Sequence, residues 1–446
     1  MPDVSLLFLL FVALVLLCAI ALVASHMDFL QPAVIGSAVM AISAFFAVLG
    51  AHWWNYEMTF EGWCIIVAAI VVFVASGLWT YHMSNQREET VTGHACELYE
   101  ISWPLMCSFC ACMIVMAYFS TQAMYDLSLS LGNTEGYSGM IRVVRDTIEA
   151  DEGMVFNRWM NYRAIAAQMI ATAYLYIFLH DVILGGWRWR FLAALPPVFC
   201  YFPFLILSTG RMTMLCFVIY AFVVATVLYL KKYGYAATAC RRTVGYAVLA
   251  GAAFFLLFYL MGLITGKTSA AVDRSYLQII THYAGLSLPA FGEIVTYPVL
   301  EDGLIGSHTL GAAYRILASI GLPLPMVQNF MPFTTFDGID TNVYTVLWRY
   351  TWDFGIVGML LMMFLISVGY TLAYQQIRHA RLHPYALMVY ALFAYPLFWF
   401  PMDDRLLMEV FNTTTLYDLV LLFALYELLM RHAKKTSLGG GAGETS

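Results

Sequence analysis

Long apolar runs recur along the chain between short polar stretches, each close to the 20 or so residues that cross a bilayer core. They predict about eleven spans, near 5–25, 30–50, 60–81, 100–120, 161–184, 190–208, 212–230, 243–264, 354–375, 384–401 and 408–430. The pattern is that of an all-α polytopic membrane protein. The first run lacks a charged leader region and a small-residue cleavage site, so it reads as a retained helix rather than a signal peptide. Two interruptions are long, 121–160 and 265–353. They divide the chain into a bundle over 1–264 that carries the first loop, a large loop over 265–353, and closing helices over 354–435. The residues after 435, ending SLGGGAGETS, read as a flexible tail or linker over 436–446.

Composition agrees with the pattern. Of 446 residues 62% are hydrophobic and 11% charged, with a mean hydropathy of +0.75, whereas soluble domains are roughly 45–50% apolar and about 25% charged. That excludes a soluble enzyme, a nucleic-acid binder and a disordered chain. A net charge of −6 argues against a polyanion-binding surface. Cys18, Cys64, Cys200 and Cys216 sit in apolar runs. Cys107, Cys110 and Cys112 have a zinc-like spacing but no nearby His or further Cys to complete four ligands, so all seven read as packing residues.

Basic residues set an orientation. Arg188 with Arg190, Lys231 and Lys232 with Arg241 and Arg242, Arg378 with Arg381, and Arg431 with Lys434 and Lys435 cluster in short connections and at the end of the chain. The positive-inside rule places them in the cytoplasm, which puts both long loops, and the N-terminus, on the opposite face. Nine arginines then fall outside or at the outer membrane edge: Arg142, Arg145, Arg158, Arg163, Arg211, Arg274, Arg315, Arg349 and Arg405. A guanidinium fork fits phosphate and carboxylate oxygens as a lysine does not, so the set suits a phosphate-bearing, lipid-linked ligand. Solvated loop arginines would leave the same inventory.

Particular positions narrow the choice. Arg211 lies in LSTGRMTM, a tight connection where a helix N-terminus could help hold an anion, or where the arginine only snorkels. If 273–283 is helical, Arg274, Gln278 and His282 share one face. His282 could then act as a base toward a sugar hydroxyl, or be an interfacial histidine; Asp273, Glu293 and Glu301 are alternative bases. On a helix through TNVYTVLWRYTWDFGIVG, Asn342, Thr345, Arg349 and Asp353 form a polar stripe entering the ninth span. It reads as a lined cavity or as an Arg349–Asp353 pair within one helix. Arg315 fits an amphipathic or re-entrant helix, or a charge snorkelling from the interface. Tyr283, Tyr344, Trp348 and Trp352 would suit sugar stacking. Asp403–Asp404 reads as an exposed pair in a short loop with a weak claim on a divalent ion. No Walker A, dinucleotide, H-E-x-x-H or EF-hand motif occurs.

With LSTGRMTML around Arg211, THYAGLSLPAF at 281–291 and TNVYTVLWRYTWDFGIVG at 341–358, the chain resembles the bacterial oligosaccharide repeat-unit polymerases, the Wzy-type O-antigen and capsule polymerases. The resemblance implies a GT-C-like helical bundle in the bacterial inner membrane with its active site facing the periplasm. The implied activity is metal-independent and cofactor-free transfer of a glycan between undecaprenyl-diphosphate-linked oligosaccharides, with a separate polysaccharide co-polymerase as a partner in setting chain length. Carried onto this sequence, Arg211 binds the diphosphate with Arg274 and Arg349 close by, while Asn342, Tyr344 and Asp353 shape the sugar site. The candidate catalytic residues are His282, Arg211, Arg274 and Asp353; the candidate substrate-binding residues are Arg315, Arg349, Asn342, Tyr344, Tyr283 and Glu293. O-antigen ligases share the architecture and are the nearest alternative. A transporter or flippase of lipid-linked glycans, which would place charge deep in its spans, and an envelope scaffold are others.

Overall fold

The computed structural model describes residues 3–84, 97–150, 158–208, 212–264, 276–296, 305–323, 331–379, 382–410, 412–431 and 435–437. In chain order the helices are α1 (Ser5–Ala24), α2 (Pro32–Trp54), α3 (Phe60–Met83), α4 (Trp103–Ser130), α5 (Tyr137–Ala150), α6 (Arg158–Gly185), α7 (Leu195–Cys200), α8 (Phe202–Leu207), α9 (Met212–Tyr233) and α10 (Ala237–Ile264). There follow α11 (Tyr276–Gly285), α12 (Ser287–Thr296), α13 (Gly311–Ser319), α14 (Leu347–His379), α15 (Pro384–Leu392), α16 (Tyr395–Phe398), α17 (Leu406–Val410) and α18 (Thr413–Tyr426). Strands are minor. β1 (Glu97–Tyr99) pairs with β4 (Lys435–Ser437), and β2 (Thr334–Phe336) with β3 (Ile339–Thr341) across an Asp337–Gly338 turn in which both residues have positive φ.

Nine helical segments among the described residues are long and apolar enough to cross a membrane. The two expected spans outside that count differ in kind. The 384–401 run is split into α15 and α16, with the chain turning at Phe393–Ala394. The 243–264 run does form α10, and most side chains of its C-terminal half lie outside the described residues. The 190–208 span is a 3₁₀ turn (Trp189–Ala194) followed by α7 and α8, because Pro196, Pro197 and Pro203 each withdraw a backbone donor. Helix starts follow local chemistry. The Gln31 side chain accepts the Val34 N–H at 3.1 Å ahead of α2, and Thr59 accepts the Gly62 N–H at 3.1 Å ahead of α3.

Both expected long loops contain helix. α4 runs on to Ser130, and α5 folds back onto it around Met124, Met140 and Val144. Within 265–353, the α11–α12 hairpin is not a solvated excursion. α11 lies along α2, α12 packs on α2 and α3, and Leu286, Leu288, Ala290 and Phe291 are fully buried. Gly285 permits this approach, since a Cβ there would stand 2.5 Å from the Ala47 backbone nitrogen. Backbone on both sides cannot yield cheaply, so Gly285→Ala is expected to cost about 1–3 kcal/mol, read as a lower melting temperature in detergent.

Candidate functional site

α14 is broken near its start. Gly355 has φ 66° and ψ −177° in mid-helix, which glycine adopts without strain. The break separates a short segment, 347–354, from the long span that follows. Asn342 and Thr345 precede the helix, so the expected stripe survives only as Arg349 and Asp353. These two do not pair with each other. Arg349 Nε donates to Asp403 Oδ1 at 2.6 Å, Nη2 to Asp403 Oδ2 at 3.0 Å, and Nη1 to the His308 carbonyl at 3.0 Å. Asp353 instead accepts the backbone N–H of His308 at 3.3 Å and of Thr309 at 2.6 Å. Together these bonds clamp the 305–310 turn over the start of α14.

The Asp403–Asp404 pair, expected to be exposed, is buried, with only 6% and 1% of its surface exposed. The reason is its partners: a carboxylate leaves water only where charge and hydrogen bonds replace hydration. Asp403 has the Arg349 fork, with Arg405 Nε at 3.8 Å from its other side and the Asp404 N–H at 2.8 Å. Asp404 Oδ1 caps α17, accepting from Leu406 at 3.0 Å and Leu407 at 3.2 Å. Its Oδ2 lies near Tyr350, though neither that oxygen nor Tyr350 Oη completes a hydrogen bond of normal geometry. Burial, and then the neighbouring Asp403 charge, push the Asp404 carboxyl up to about 7.

Aromatic rings wall this cluster. Tyr344 stacks on Trp348 at 5.5 Å and Trp348 on Trp352 at 5.1 Å, while His308 meets both tryptophans edge-on. Tyr344 Oη donates to the Pro332 carbonyl at 2.6 Å. Tyr344 and Trp348 are fully buried, so they brace the site and present no open face to a sugar; Trp352 is half-buried.

Beside the cluster an apolar cavity of about 490 Å³ runs between α2, α9, α10, α11 and the segment after α16. Val39, Phe222, Val248, Tyr283 and Met402 line it. Met402, on its wall, immediately precedes Asp403 of the charged cluster.

The structure thus brings Arg349 and Asp353 together through the 305–310 turn, with Tyr344 behind them. Tyr283 lies on the cavity, and His282 precedes it on α11 with its ring 5.4 Å from that of Tyr283. Arg315 is exposed on α13, which packs against α17. Glu293, on α12, sits near the buried Tyr56, whose phenol is pushed up by burial and by that carboxylate. Asn342 is half-buried just after β3. Arg211 and Arg274 lie outside the described residues. No family model, curated protein or solved structure matches the chain. Among the described residues no group of three or more His, Cys, Asp or Glu could hold a metal ion.

A second ionic cluster closes the other end of α14. Arg378 and Lys231, read as charges in short connections, lie in the last turns of α14 and α9 and are buried, 4% and 1% exposed. Arg378 pairs with Asp28 at 3.1 Å, contacts Tyr81 Oη, and lies over the Tyr235 ring. Tyr374 Oη donates to Asp28 at 2.8 Å, and Lys231 Nζ to the Arg378 carbonyl at 2.6 Å. Sequence reading missed Asp28 and the buried role of Asp403. The available signal was acidic residues embedded in otherwise apolar stretches, HMDFLQP and FPMDDRLL.

The Asp404 shift makes stability pH-dependent. The folded state holds this proton more tightly than the unfolded chain, whose carboxyl titrates near 3.8. The contribution of this group to stability is therefore full below that value and is lost as pH rises through about 7. The span corresponds to an order of 4 kcal/mol. Asp404→Asn should flatten the dependence of melting temperature over this window.

Proposed function

We propose that the protein is a membrane glycosyltransferase that polymerises undecaprenyl-diphosphate-linked oligosaccharide repeat units at the periplasmic face of the bacterial inner membrane. The observation that carries this reading is an apolar cavity whose lining residue Met402 is the chain neighbour of Asp403 in the Arg349–Arg405 cluster. A long hydrocarbon tail followed by a charged headgroup needs that sequence of environments. In the reaction, the bond from the donor's anomeric carbon to the carrier diphosphate breaks. A bond from that carbon to an acceptor hydroxyl oxygen forms, and the hydroxyl proton passes to a base. His282, beside the cavity, is our candidate for that base. Arginines that favour the charge developing on the departing diphosphate lower the barrier, and no nucleotide sugar is consumed.

The test supplies purified protein in lipid with polyprenyl-diphosphate-linked repeat units and no nucleotide sugar. Glycan length is followed on a gel, with Arg211→Ala and His282→Ala alongside. A product ladder lost in Arg211→Ala supports the reading; transfer of a single finished glycan to a lipid A core acceptor would make it a ligase instead. No elongation with any repeat unit tried sinks the enzyme reading.

The ion pairs at both ends of α14 favour a second reading, a flippase of lipid-linked glycans. Buried ties at opposite ends are what two alternating gates require. Its assay is transbilayer movement of a fluorescent lipid-linked glycan in vesicles, without any change in glycan length.

A further inference from the structure

We propose that Asp403 occupies the position on Arg349 and Arg405 that the diphosphate of a lipid-linked substrate takes, so that the empty site is held by the protein's own carboxylate until an anion displaces it. This rests on the reading of the cluster as a headgroup site. The grip on Asp403 is the two-point fork that arginine offers equally to carboxylate and phosphate oxygens, 2.6 Å on one side and 3.0 Å on the other. A second guanidinium, Arg405, stands 3.8 Å from Oδ2 with 32% of its side chain exposed. Two cations around one carboxylate are matched better by a diphosphate, which carries more charge and more acceptor oxygens. The Asp404 N–H, given to Asp403 at 2.8 Å, is a third donor that a displacing anion would inherit.

The local chain is built for such an exchange. Asp403 lies on the helix-free connection 399–405, whereas Arg349 is fixed on α14 and held independently by the His308 carbonyl. The 305–310 turn is itself tied down by Asp353. The backbone N–H of Asp403 is held by the Trp399 carbonyl at 3.1 Å, so the carboxylate would leave by rotation of its side chain while the arginine stays. Met402, the residue before Asp403, lines the apolar cavity in which the tail of such a substrate would lie.

Internal competition predicts a gain where a structural role predicts a loss. A site blocked by its own side chain shows an apparent affinity reduced by the fraction of time it is open. With the full-length protein in detergent and inorganic pyrophosphate as probe, Asp403→Asn should bind about tenfold more tightly than wild type, or better. Its melting temperature, lowered without ligand, should recover more with pyrophosphate than that of wild type rises. Asp403→Glu, which keeps the charge, should stay near wild-type affinity, and Arg405→Gln should weaken binding in both backgrounds. If Asp403→Asn can be purified only with pyrophosphate present, the proposal stands; if pyrophosphate does not rescue it, or folded Asp403→Asn binds no tighter than wild type, it falls. Pyrophosphate binding needs no glycan transfer. Tight binding by the variant with no elongation by wild type would sink the polymerase reading alone, and elongation without the affinity gain would sink this one alone.

Discussion

Arg349→Ala is expected to destabilise the protein by about 3–5 kcal/mol, because it takes the two-point fork from the buried Asp403 and leaves only the more distant Arg405, 3.8 Å away, to answer its charge. The melting temperature in detergent should fall by several degrees and glycan elongation should stop. Neither result alone separates folding from function. The decisive variant replaces both partners, Arg349→Met with Asp403→Leu. Buried ion pairs exchanged whole for apolar residues of similar size are often neutral or better, so the double variant should regain most of the lost stability. Asp404 stays behind in it, next to Tyr350 and capping α17, and its raised carboxyl then loses the Asp403 contribution. If the arginine handles the diphosphate, the stable double variant still fails to elongate glycan. Recovery of both properties would make the pair a strut and remove Arg349 from the site.

Nine of the eleven expected spans were legible because their signal is local: about 20 apolar residues announce themselves without reference to the rest of the chain. The partnerships at the site were not. For Arg349 the one partner offered was Asp353, four residues away, as an alternative to a cavity-lining stripe, since helical spacing is the only proximity a sequence displays. Its actual partner is 54 positions further on, brought back by α14, α15 and α16. The Gly355 break, invisible in apolar periodicity, also detaches the polar segment from the span it was expected to continue. Arg378 was misplaced for a related reason. A basic residue near a span end looks solvated unless its counter-ion is known, and Asp28 lies 350 positions away. The α11–α12 hairpin did carry a local hint of burial, the small and apolar AGLSLPAFG, in which Gly285 meets the Ala47 backbone and Gly292 meets Tyr56. A polar reading of the surrounding loop overrode it.

The tie at the opposite end of α14 decides between chemistry at one face and alternating access. Asp28→Ala removes a buried carboxylate that pairs with the buried Arg378, in a network that also holds the buried Lys231. Tyr374 loses the acceptor for its hydroxyl as well. The expected loss is again about 3–5 kcal/mol, enough to reduce yield and melting temperature together. Asp28→Asn keeps an acceptor for Tyr374 and removes only the charge, so it should be milder and can be purified for assay. If the reaction takes place wholly at the Arg349 end, elongation per folded molecule is unchanged in Asp28→Asn, because no group in this network touches substrate. If the protein instead moves lipid-linked glycans between leaflets, the pair is a gate. Weakening it then shifts the balance of open states by its differential energy between them, and transbilayer movement changes several-fold in folded protein. An unchanged elongation rate with altered yield therefore places Asp28 and Arg378 as the closure of the bundle, whereas a changed transport rate moves the functional centre from one end of α14 to its whole length.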